Sequence, residues 1–172
     1  DFDAIFSEIK NQGFDLQVLV NTASEFKPSS FDDSGSSMLQ RQLRINFENA
    51  YLLTKSFARV CDDGVVINFL DTKTTKNYTK HLDYLLAKKL LKEFTFLSAV
   101  HLAPRLRVNA IAPGLVLPPE GKDESYLQNL AQGIPLKRHG GVEDILKAFR
   151  FLVDADFITG QIIYVDGGDH LI

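Results

Sequence analysis

The feature that most constrains this chain is a set of short, predominantly apolar runs. "GVVINFL" (64–70) and "LRVNAIAP" (106–113) are the clearest, and a longer stretch of helical period follows or precedes each. Successive side chains of a strand point to opposite sides, so a strand with one wet face alternates apolar and polar residues. A run without that alternation must be covered on both faces, as in a parallel sheet flanked by helices. "LQVLVNTA" (16–23) and "QIIYVDGG" (161–168) read the same way, the latter closed by Gly167 and Gly168. Helical period occupies residues 2–12 with Gly13 as its C-cap, then 38–60, then 81–103 up to Pro104, with further helical character at 123–132 and 142–153. This alternation predicts an α/β fold: a doubly wound parallel sheet, Rossmann-like, in three αβα layers.

The 172 residues, 45% of them hydrophobic, suffice for one core and predict a single domain without linkers or repeats. The net charge is −3 and the basic residues are dispersed, which argues against a nucleic-acid partner. No apolar run approaches the roughly 20 residues that span a bilayer, so no membrane partner is expected. The four histidines have no short metal-ligand spacing, and no metal is expected. Cys61 is alone, reads as an ordinary thiol, and suits a reducing, cytoplasmic compartment. The chain begins at Asp1 and its only methionine is Met38, so the expectation is that the true N-terminus lies upstream and that organelle targeting is left open.

In open parallel sheets ligands bind beyond the carboxyl ends of the strands. That rule singles out Asn21 to Ser24, Asp71, and Pro113 with Gly114. Two near-identical pentads raise the question of chemistry: "YLLTK" at 51–55 and "YLLAK" at 84–88. Residues four apart on a helix differ by roughly 40° around the axis, so each pair can present a phenol and an ammonium on one face. With five tyrosines in the chain such a pair arises readily by chance, and context decides. Tyr84 and Lys88 lie on the helix that follows the strand ending at Asp71, on the ligand side. Tyr51 is about 140° from Asn46 around its helix axis, so Tyr51 and Lys55 read as packing and solvated surface.

"NTAS" after a strand, Asn46 in "NFENA", Asp71, "YLLAK", "NAIAPG" and the terminal "ITGQIIYVDGG" resemble, in order and spacing, the short-chain dehydrogenase/reductase family across essentially the whole chain. In most members a serine stands where this chain has Asp71. That aspartate, "NTASEF" and "APGLVLPP" resemble the pteridine reductase and dihydromonapterin reductase branch. Enoyl-reductase relatives use a longer tyrosine-to-lysine spacing.

The resemblance implies an NADPH-dependent reductase of a pterin-type substrate, with NADH left open. Its catalytic residues would be Asn46, Asp71, Tyr84 and Lys88. The cofactor would meet Asn21, Thr22, Ala23, Ser24, Tyr84, Lys88, Pro113, Gly114 and Leu115, and the pterin Ser24, Phe26, Asp71 and Tyr84. Lys88 would hold the nicotinamide ribose and lower the pKa of the phenol, which is near 10 when unperturbed. Asn46 would hold a water in a proton relay, and Phe26 would offer a stacking surface. Asp71 pulls the phenol the other way, so the two could share a proton rather than titrate independently. We read Lys73, Lys76 and Lys80 as a solvated loop, with attraction of an anionic substrate tail as the alternative. A carbonyl reductase of the same family and a non-catalytic binding subunit are the competing readings.

The family's glycine-rich phosphate turn does not precede residue 21. Residues 1–172 are therefore expected to be the C-terminal two-thirds of one Rossmann-like domain, lacking its first βα units. Thr22, Leu85 and Leu86 depart from the family's usual residues. By resemblance the helices at 38–60 and 81–103 form a homodimer or homotetramer interface, with Leu85, Leu86, Leu90 and Leu91 facing a second subunit.

Overall fold

The computed structural model describes residues 1–119 and 121–172. Four parallel strands, β1 (Val18–Asn21), β2 (Gly64–Phe69), β3 (Leu106–Pro113) and β4 (Ile162–Val165), lie side by side in sequence order. β3 has the bounds expected from its apolar run. The pairing Asn21 with Asn68, Phe69 with Ile111 and Pro113 with Val165 brings all four carboxyl ends to one rim.

The two faces of the sheet are read from alternate residues. Val66, Val108, Ala110 and Ala112 point toward α3 (Asn49–Val60) and α4 (Leu82–Leu102), where they meet Phe57, Leu91 and Ala99. Val65, Ile67 and Ile111 point the other way and pack on α6 (Val142–Asp154) through Leu152. Coverage on both sides explains why β2 and β3 carry apolar residues on both faces. The layers are those expected: helix, sheet, helix.

α1 (Phe2–Asn11) packs on α3, with Phe6 edge-on to Phe57, and ends where Gly13 adopts φ +88°. A side chain resists that left-handed conformation, so glycine is the natural stop. α2 (Ser36–Leu43) continues into α3 through one π-helical turn, Arg44–Glu48, which the sequence pattern reads as uninterrupted helix. α5 (Glu124–Ala131) lies beyond β3. β1 lies at one edge of the sheet and β4 at the other, and Val18 and Val20, in register with Val65 and Ile67, are more than a third exposed.

A buried polar line crosses the core. Asn21 Nδ2 donates to Asn68 Oδ1 at 2.8 Å and to Thr54 Oγ1 at 3.2 Å, and Asn68 Nδ2 donates to Thr95 Oγ1 at 3.0 Å. These bonds tie β1 and β2 to α3 and α4. Among the described residues no helix is long and apolar enough to cross a membrane, and no cluster of three metal-ligating side chains exists.

Of the four leucines expected at a subunit interface, Leu85 and Leu91 are buried within their own chain and do not face outward. Leu86 and Leu90, four residues apart on the same helix and each next to one of the buried pair, are nearly half exposed. A helix packed on a sheet by one side can present only its other side.

Candidate active site

The loops at the carboxyl rim bring the expected acid and phenol together. Asp71, just past β2, caps a single 3-10 turn (Thr72–Thr75), its Oδ1 accepting from Lys73 N at 2.8 Å. Its other oxygen accepts from the Tyr84 hydroxyl at 2.8 Å. Tyr84 is 4% exposed and sits in the first turn of α4. One turn on, Lys88 is 2% exposed and donates from Nζ to Phe69 O at 2.8 Å, its ammonium 5.9 Å from the Tyr84 ring centre.

Burial and charge act on this trio in opposite senses. Burial first, and the Asp71 carboxylate next, push the Tyr84 phenol well above its ordinary range. The net shift is therefore upward, opposite to the lowering expected from Lys88, because burial and the Asp71 carboxylate dominate it. Burial likewise pushes the Lys88 ammonium down, from 10.5 to about 8, although Asp71 pulls it upward. Tyr84 thus keeps its proton and Lys88 becomes an ammonium that is easily discharged.

The loop after β1 supplies the other wall. Ser24 donates to Asn46 Oδ1 at 2.8 Å, Glu25 N does so at 3.1 Å, and Asn46 Nδ2 returns a bond to Glu25 O at 3.1 Å and one to Gln42 Oε1 at 2.9 Å. Asn46 is buried in the π turn, and its amide pins the loop. Glu25 is bound by Arg41 through two bonds of 2.8 and 2.9 Å and by Gln42 at 2.9 Å. Arg41 above all holds its carboxyl down at about 2. Thus anchored, Phe26 sets its ring edge-on to Tyr84 at 4.8 Å and stacks on His81 at 3.8 Å.

Ser24, Phe26, Asp71 and Tyr84 therefore converge, and Asn46 reaches them through Ser24. Thr22, Ala23 and Ser24 are exposed along the crevice, whereas Asn21 turns its amide nitrogen into the polar line of the core. Pro113 ends β3 and Gly114 and Leu115 follow it on the same rim, where Gly114 N donates to Val165 O at 3.0 Å. Lys76 is paired with Asp169 at 2.6 Å, Lys80 is exposed, and Lys73 lies 4.6 Å from the Phe26 ring centre. Tyr51 packs against Phe47 and Phe94 on the far side of the helices, and Lys55 is exposed.

Sequence reasoning did not find Glu25, Gln42, His81 or Asn68. Most of their partners lie many residues away, as Lys27 does from His81 and Asn21 from Asn68, and local pattern carries no signal for them.

The donor set suits a sugar-bearing cofactor. Among the described residues Lys88 Nζ has one acceptor for three N–H groups, and the buried Asn21 Oδ1 has no donor at all. Asn21, Thr22, Ala23 and Asn46 line a cleft of about 150 Å³ that opens beside them. Larger grooves exist, one of about 640 Å³ between α1 and α3 and one of about 650 Å³ between α3 and α4, but neither includes Asp71, Tyr84 or Lys88.

A parallel αβα sheet with a buried phenol and amine beside a half-buried acid at its carboxyl rim defines a Rossmann-type oxidoreductase. A family model described as enoyl-(acyl carrier protein) reductase, within the short-chain dehydrogenases/reductases, matches residues 1–170, and the chain belongs to that family. It is 29% identical to a dihydromonapterin reductase of Citrobacter koseri, over 98% of this chain and 72% of that one. It is 30% identical to a glucose and ribitol dehydrogenase of Daucus carota, over 95% of this chain and 59% of that one. A solved structure, FolM alternative dihydrofolate reductase 1 of Brucella suis in complex with NADP, superposes with TM-score 0.93 at 28% identity, covering all of this chain and 71% of that one.

Proposed function

We propose that this short-chain reductase uses NADPH to reduce a C=N bond of a pterin. The observation that carries the reading is the 2.8 Å bond between the Tyr84 hydroxyl and Asp71. Similarity to dihydromonapterin reductase and to an NADP-bound dihydrofolate reductase supports the substrate and the cofactor.

When bound, NADPH supplies a hydride to carbon, and a proton must reach the ring nitrogen. In this reading Lys88 spends its unused N–H groups on the nicotinamide ribose, while Asn21, Thr22 and Ala23 line the adenine-ribose side. Pro113, Gly114 and Leu115 border the nicotinamide. Phe26 and Ser24 seat the flat pterin, the ring by stacking and the hydroxyl by hydrogen bonding. Asp71 and Tyr84 hold one proton between carboxylate and phenol oxygen and release it to the nitrogen. A serine at position 71 could position a substrate but would be a poor acid.

Residues 1–172 are, on the same reading, the C-terminal two-thirds of a single domain. A homodimer or homotetramer would form through the α3–α4 face, where Leu86 and Leu90 are exposed. The free Cys61 suits a reducing cytoplasm.

The test is NADPH oxidation by the full chain with dihydropterins and quinonoid pterins, run beside simple ketones. Dihydropterin turnover that falls about 10²–10⁴-fold in Asp71→Ser is the expected result. Turnover of ketones alone would establish the carbonyl-reductase alternative, to which the likeness to the carrot dehydrogenase points.

A further inference from the structure

Asp71 is held in place from the opposite end of the chain. Thr72, next to it and 3% exposed, donates through its hydroxyl to Asp166 Oδ2 at 2.5 Å. Asp166 directly follows β4, and its buried carboxylate also accepts from Gly168 N at 3.0 Å and His170 N at 2.8 Å. The ring nitrogen of His170 faces it at 2.9 Å. Burial alone would push the Asp166 carboxyl up, but the bonds from Thr72, Gly168 and His170 outweigh it and hold the group below its ordinary range.

Backbone geometry builds this cradle. Gly167 and Gly168 have φ of +64° and +88° in the turn whose N–H groups return to the carboxylate. Gly114 closes a third side: a Cβ there would lie 2.7 Å from Asp166 Cα. Asp166 therefore sits where the loops after β2, β3 and β4 meet. Lys76 to Asp169 at 2.6 Å ties the far end of the Asp71 turn to the same segment.

The Asp71 turn has its own internal bonds, Thr74 N to Asp71 O at 3.0 Å and Thr74 Oγ1 to Asp71 O at 2.8 Å. It would keep its shape without the Thr72 hydroxyl, but its near end, beside Asp71, would lose its tie to the segment after β4, leaving only the far end held through Lys76. The geometry points to Asp166 and Thr72 as positioning residues: acting through the Thr72 hydroxyl, the Asp166 carboxylate orients Asp71 toward Tyr84. The inference rests on the reading of Asp71 as the proton-sharing acid.

Thr72→Val removes the hydroxyl at nearly constant shape, Thr72→Ser retains it, and Asp166→Asn removes the charge. In the full chain, Thr72→Val and Asp166→Asn are expected to lower kcat for the dihydropterin about 10–100-fold. They should displace the pH profile of kcat and leave NADPH affinity unchanged, and Thr72→Ser should restore both rate and profile. Crystal structures of the variants give a readout independent of turnover: the Asp71–Tyr84 bond should lengthen beyond hydrogen-bonding reach in Thr72→Val and persist in Thr72→Ser. A Thr72→Val protein that keeps that bond, or that loses thermal stability with kcat and pH profile intact, overturns the inference. Absence of pterin turnover in the unsubstituted protein would instead refute the functional reading, and the crystal structures would still decide the clamp.

Discussion

Lys88 should destabilise the fold it serves, and replacing it by methionine should reveal this. Its ammonium titrates at about 8 in the folded chain instead of 10.5. At 1.36 kcal/mol per pH unit, that difference is worth about 3 kcal/mol against folding wherever the lysine is charged in both states. The sign follows from proton counts. Between pH 8 and 10.5 the unfolded chain binds more protons at this site than the folded chain, so stability from this residue rises with pH across that window and the full penalty applies below pH 8. Methionine has a comparable stem and no charge to bury. It also removes the donor from Phe69 O, a loss of about 1–3 kcal/mol. Lys88→Met should therefore be more stable than the parent at pH 7 by between about zero and 2 kcal/mol, while losing reductase activity. Urea unfolding of both proteins from pH 7 to 10 is the assay. Taking the difference cancels the other titrating groups, and the advantage of the variant should shrink as pH rises from 8 toward 10.5. A difference that stays flat with pH, or a variant less stable by more than about 3 kcal/mol, would refute the reasoning.

Asn46→Ala breaks three hydrogen bonds that anchor residues 24–25 to the π turn, and a fourth to Gln42. A loss of about 1–3 kcal/mol and faster amide exchange in the loop after β1 are expected, with unchanged exchange refuting the anchor. Glu25 is held at about 2 against an ordinary 4.5, foremost by Arg41. Its contribution to stability is complete above pH 4.5 and is lost as pH falls toward 2, so thermal melts of the parent and of Glu25→Gln should converge on acidification.

The layer order was legible because continuous apolar runs have no other comfortable home than a sheet covered twice. The acid and phenol were legible because a strand end and the next helix's first turn are neighbours by construction, which brought Asp71 to Tyr84 across thirteen residues. The direction of the phenol's shift was not, since sequence gives the spacing of Tyr84 and Lys88 but not the depth of burial that, with Asp71, raises the phenol. The π turn was also invisible, because one extra residue in a helical ladder barely disturbs an apolar stripe. Partnerships such as Thr72 with Asp166, ninety-four positions apart, depend on which loops the finished sheet brings together.

The two pentads make the same point in chemical form. They differ at one position, yet Tyr84 is 4% exposed beside a carboxylate while Tyr51 is 39% exposed among phenylalanine rings. The differing residue does not cause this: Thr54 is buried and accepts a bond from Asn21, and Ala87 is buried against its own surroundings. What separates the pairs is what stands opposite them. The end of β2 supplies Tyr84 with Asp71 and Lys88 with the Phe69 carbonyl, and both groups are withdrawn from water, where charge is costly and proton sharing is favoured. Lys55, in contact with solvent, meets no such opposition. A tyrosine and a lysine one turn apart are thus only an opportunity, and the shifted titration of Tyr84 and Lys88 is a property of the burial and the strand end that face them.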